Sequence, residues 1–125
     1  MLFRSFATVG GYSSHWIPPG WYGEDTSKIG TGHVYVSHDA GATFTDVSGT
    51  LPDVPADWVV VHGNQLVVGN DVGMFVSSSK TGGTYKKLGT GLPAVPIAHI
   101  SQDPVNPNRI VVATFGRGVW SYNFS

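Results

Sequence analysis

The chain has 125 residues, the size of a single domain. It is 41% hydrophobic and only 12% charged, against about 25% charged in an average domain. A net charge of −1 excludes nucleic-acid binding by charge, no apolar run approaches the roughly 20 residues of a membrane-spanning helix, and the absence of cysteine excludes disulfides and thiolate metal sites.

In chain order, the first apolar stretch predicts a strand near 3–10; the segment "MLFRSFATVGG" that contains it has no h-region or cleavage site of secretory type. Next comes "YSSHWIPPGWYGEDTSKIGTG" (12–32), far longer than the hairpin turns later in the chain. Its Trp16, Trp21 and Tyr22 argue against disorder and stand beside His15, Glu24, Asp25 and Lys28. Aromatic faces next to hydrogen-bonding groups suit sugar rings or a peptide. The same indoles also suit covering a neighbouring sheet, filling a loop mini-core or touching another subunit.

Strands near 33–37 and 43–48 flank "SHDAGATFTDVSG" (37–49), where Asp39 is either a functional carboxylate or a turn former. An Asp in a tight hairpin accepts N–H groups of its own turn, Gly41 permits a positive φ, and Phe44 is expected to anchor the hairpin in the core. Further strands are predicted near 57–62, 65–70, 73–78, 84–88, 97–101, 109–114 and 118–123. Ten short strands with almost no helical periodicity make an all-β chain.

The strands repeat. "GTLPDVPADWVVV" (49–61) returns as "TGLPAVPIAHISQ" (90–102), so that Leu51-Pro52 maps on Leu92-Pro93 and Val54-Pro55 on Val95-Pro96. Thr43-Phe44 maps on Thr84-Tyr85 with the same shift of 41 residues, and "NQLVVGNDVGMFV" (64–76) returns as "NRIVVATFGRGVWSY" (108–122). A period near 41 with four strands per unit is the size of a propeller blade. With a blade's strands lettered a to d from the axis outward, the chain reads b-c-d, a-b-c-d, a-b-c. The expected fold is a partial β-propeller of about two and a half four-stranded antiparallel blades, in portions of about 1–49, 50–90 and 91–125, with a long b–c loop at 13–31.

Ser37, Asp39, Gly41, Thr43 and Phe44 fit S-x-D-x-G-x-T-[WF], which resembles the Asp-box of BNR-repeat proteins, a superfamily that includes sialidases, other glycoside hydrolases and sortilin-like receptors. The tail "NRIVVATFGRGVWSYNF" resembles the closing segment of such propellers. The resemblance implies a structural Asp-box in the c–d turn, opposite the ligand-binding face, and an extracellular or cell-surface location. A turn that recurs in the next unit as "SSSKTGGTYKKLG", with Ser79 replacing the acid, agrees with a structural Asp39.

The ligand-facing end is expected to carry loop 13–31, Asp71, Phe115, Arg117, Asp53 and Asp57. Asp71 and Arg117 together suit a polar ligand, or Arg117 bonds loop carbonyls and fixes its blade. His15, His33, His38, His62 and His99 show no metal spacing, and His62 and His99 are expected as hydrogen-bonded core residues. No catalytic residue, metal or cofactor is assigned: arginines number only three, and no pair of carboxylates stands out at the roughly 5–9.5 Å separation of glycosidases. The expected function is a binding or scaffold portion of an extracellular propeller, contacting carbohydrate or a protein partner through that face. The alternative is the C-terminal part of a glycoside hydrolase that supplies subsite walls. Either way the expected partner is the remainder of the propeller, upstream, or a second chain.

Overall fold

The computed structural model describes residues 4–12 and 32–124. These contain ten strands and no helix: β1 (Ser5–Thr8), β2 (Val34–Ser37), β3 (Thr45–Asp46), β4 (Ala56–His62), β5 (Gln65–Asn70), β6 (Gly73–Ser79), β7 (Gly82–Lys87), β8 (Ile97–Gln102), β9 (Arg109–Thr114) and β10 (Val119–Asn123). All ten predicted strands form, with β1 and β3 shorter than expected. They make three antiparallel sheets in which every strand pairs with its sequence neighbour: β1-β2-β3, β4-β5-β6-β7 and β8-β9-β10.

The central sheet is covered on both faces. Along β5, Leu66 and Val68 point one way and Val67 the other, and none of the three has exposed surface. A continuous β-branched and aliphatic run is what such a strand requires. Leu66 and Val68 join Val34, Val36, Val47 and Leu51 in one core, and Tyr85 closes it. Val67 and Met74 join Ile97, Ile100, Ile110 and Val112 of the third sheet in the other. The third sheet approaches closely at Gly69, where an added Cβ would fall 2.6 Å from the Ile97 side chain.

The 41-residue period is structural as well as sequential. The Val54 N–H donates to the Pro52 carbonyl and the Val95 N–H to that of Pro93, both at 2.9 Å. The Asp71 N–H donates to Pro55 (3.2 Å), and the Phe115 N–H to Pro96 (3.0 Å). Both β4 and β8 carry a register shift at the same point, Ala56/Trp58 and Ile97/His99.

Two expectations fail. Phe44 is 49% exposed rather than anchored in a core, because none of the described residues covers the face of the first sheet that it shares with Ala7 and Tyr35. His62 and His99 lie on the expected strands but not in the core. His62 stacks on Phe124 and reaches Asn108 Oδ1 at 3.1 Å. His99 is exposed, against Trp58 and Ser101 Oγ, because no further sheet covers it among the described residues.

Candidate functional site

One end of the sheets gathers the connections β1–β2, β3–β4, β5–β6, β7–β8 and β9–β10. Backbone bonds tie it together: the Val9 N–H donates to the His33 carbonyl (2.9 Å), and the Val9 carbonyl accepts from the Ala56 N–H (3.1 Å). Trp16, Trp21 and Tyr22 belong to the β1–β2 connection and lie outside the described residues.

Asp71 is brought to Asp57, not to Arg117. Asp57 Oδ2 is buried and meets no N–H or O–H of another described residue, since its neighbour is the Asp71 carboxyl. Two carboxyls attract only if one of them keeps a proton. Burial first, then the hydrogen bond and charge of Asp71, push the Asp57 pKa up to about 6. The buried Asn70 side chain braces the turn beside them, its Oδ1 accepting the Val72 N–H at 3.0 Å. Below about pH 6 the pair holds one proton and presents a donor as well as acceptors, above it acceptors alone, and either state suits hydroxyl groups. The pair does not suit glycosidic hydrolysis, whose carboxyls stand roughly 5–9.5 Å apart to admit the sugar and water.

At the same end, buried His33 places Nε2 3.1 Å from Asp53 Oδ1 without hydrogen-bond geometry, a contact that becomes an ion pair when the imidazole is protonated. The sequence signalled neither this pair nor the Asp57–Asp71 pair. The first joins residues of two connections and the second joins β4 to the β5–β6 connection, with no motif spacing within either pair. Arg117 is exposed, and its guanidinium makes no hydrogen bond or ion pair with the described residues. The loop is fixed by its backbone instead. The Trp120 indole N–H donates to the Arg117 carbonyl at 2.8 Å, and the Thr114 hydroxyl and N–H both donate to that of Gly118. No cluster of three metal-ligating side chains occurs among the described residues.

Asp39 lies at the opposite end, in the β2–β3 turn. Its Oδ1 accepts the Thr43 N–H (2.8 Å) and the Ser37 hydroxyl (2.8 Å), and its Oδ2 accepts the Thr43 hydroxyl (2.6 Å). The Ser37 hydroxyl oxygen also takes the Gly41 N–H at 2.8 Å. Gly41 (φ 91°) and Ala40 (φ 58°) turn the chain, Ala40 being the only non-glycine with positive φ among the described residues. The Thr43 hydroxyl, then the Thr43 N–H and the Ser37 hydroxyl, pull the Asp39 pKa down to about 2. The carboxylate's acceptor sites are spent on its own turn. Compared with known protein families, with curated proteins and with solved structures, the chain matches none.

Proposed function

We propose that the three sheets are consecutive blades of a BNR/Asp-box-type propeller and that the chain is a binding portion of it, taking carbohydrate at the end that holds the Asp57–Asp71 pair. The remainder of the propeller comes from upstream sequence or from a second chain. The observation that carries the binding reading is the Asp57–Asp71 carboxyl pair itself, set at the mouth of the central sheet beside the root of an aromatic-rich connection. Carboxyls set side by side favour recognition of hydroxyls over hydrolysis. The test is a glycan array probed with the 125-residue chain and with Asp71→Asn. Binding to a defined sugar class that Asp71→Asn weakens by about tenfold supports the reading. Turnover of an arrayed glycan, or binding indifferent to Asp71, overturns it.

A further inference from the structure

The β5–β6 and β9–β10 connections are built on one backbone frame and carry opposite chemistry. The Asp71 N–H donates to the Pro55 carbonyl (3.2 Å) and the Phe115 N–H to that of Pro96 (3.0 Å), prolines that are 41 residues apart. In β4 the ladder passes from Ala56–Asn70 to Trp58–Gly69, and in β8 from Ile97–Thr114 to His99–Ala113. Asp57 and Ala98 are thus the extra residues of equivalent bulges, and a bulge re-aims the side chain at that point. On the central sheet it brings Asp57 to Asp71; on the third, Ala98 and Phe115 hold those two places. The frames are neighbours: Trp58 and His99, each next to its bulge, stand ring to ring with centroids 4.1 Å apart.

Phe115 is 64% exposed. The position opens to water even where sheets lie on both sides, since Asp71 and Val72 of the central sheet are partly exposed as well. The loop that presents the ring is stiff. The Thr114 hydroxyl and N–H both donate to the Gly118 carbonyl, at 2.7 and 3.1 Å, and the Trp120 indole N–H donates to that of Arg117. Gly116 and Gly118 take φ of 81° and 76°, which few other residues would adopt. A large ring held in water adds little to folding through burial, but a ring already fixed in place lowers the ordering cost of binding.

We propose that Phe115 forms a second, apolar subsite next to the Asp57–Asp71 pair, so that the ligand is a neutral oligosaccharide rather than a single sugar. One sugar gives its hydroxyls to the carboxyls, and the next lays its C–H face on the Phe115 ring. This rests on the carbohydrate reading and adds the length and charge of the ligand to it. A pyranose has a rim of hydroxyls and a face of C–H groups, so a chain of them can meet a polar place and an apolar place in succession. Aromatic rings supply such platforms beside a few orienting polar groups. The sugar is neutral because the carboxyl pair, with Asp57 titrating at about 6, is negatively charged at pH 7 and repels an acidic sugar.

The test is titration of the 125-residue chain at pH 7 with glucose, mannose and galactose and with cellotetraose, mannotetraose and galactotetraose, followed by amide NMR shifts. At least one tetrasaccharide is expected to bind about tenfold more tightly than its monosaccharide. Phe115→Ala should remove that gain and leave the monosaccharide affinity unchanged, Phe115→Trp should keep it, and Asp71→Asn should weaken both sugars. Circular dichroism should be unchanged in both Phe115 variants, since the ring is exposed. A gain that survives Phe115→Ala, or a loss shared equally by monosaccharide and tetrasaccharide, overturns the subsite. So does tighter binding of tetragalacturonic acid that Arg117→Gln abolishes, which would assign the loop to acidic sugars. Where Asp71→Asn still weakens binding in these cases, the carbohydrate reading stands and the subsite alone falls. Binding of none of these sugars overturns the subsite as well, and the glycan array judges the reading beneath it separately.

Discussion

Residues 41–46 and 82–87 are the same segment at a 41-residue shift, and they meet opposite fates. Gly41 turns in open space, whereas Gly82 turns with its Cα pressed on the Val47 carbonyl. Phe44 is half exposed, whereas Tyr85 is 7% exposed and hydrogen-bonded through its hydroxyl. Asp39 ties the first turn with both carboxylate oxygens. In the second turn Ser78 Oγ accepts the Thr84 N–H and Ser79 Oγ meets Thr81. The motif fixes the local hairpin, and the neighbouring sheet decides whether its aromatic contributes to stability.

The sharpest way to break this comparison is to truncate both aromatics. Tyr85→Ala should cost about 3–5 kcal/mol in urea unfolding, the usual loss for a large buried ring, and Phe44→Ala less than about 1 kcal/mol. Equal losses would mean that burial does not separate the two copies. Alanine at the paired glycines comes next. Gly41→Ala should cost about 1–2 kcal/mol for the left-handed backbone alone, and Gly82→Ala roughly 1–3 kcal/mol more, because the backbone of one sheet must move off the other.

Two acids give smaller effects and opposite pH signs. Asp57 has a raised folded pKa, so the native state binds the extra proton between about 4 and 6, and stability falls as pH rises through that window. Asp57→Asn should flatten that slope and stabilise the chain at pH 7 by about 1 kcal/mol, after allowance for solvent screening. A slope that survives the substitution would show that another group carries it. Asp39 has a depressed pKa, so its contribution is full above about 4 and disappears as pH falls through about 2. Asp39→Asn should lower the melting temperature slightly at neutral pH, match the parent near pH 2, and leave glycan binding unchanged. Ser79→Ala should show no such pH dependence.

The strands, the period and the hairpin turns were legible because they are local. Alternation places Leu66 opposite Val67 whatever surrounds them, and the Asp39 turn closes on residues within four positions. The carboxyl pair was only half legible: the period put Asp57 and Asp71 at the same end, but which acid would meet which partner depends on the bulge at Ala56/Trp58 and the bond from the Asp71 N–H to Pro55. The exposure of Phe44 was illegible for a different reason. Its sequence is that of a docking strand, and what sets it apart from Tyr85 is that no described residue covers the face beside Ala7 and Tyr35.

The way the sheets face one another limits the symmetry open to the molecule. Each interface joins unlike faces: the face of the central sheet that bears Tyr85 meets the first sheet, and the one bearing Val67 and Met74 meets the third. Such contacts are heterologous, running head to tail rather than across a two-fold axis. Two copies related by a dyad would set identical faces together and could not reuse the docking of Tyr85 on a Val47 carbonyl. Growth by the same geometry therefore has a direction, and it ends only by closing on itself into a ring or by capping each outer face with something unlike a sheet.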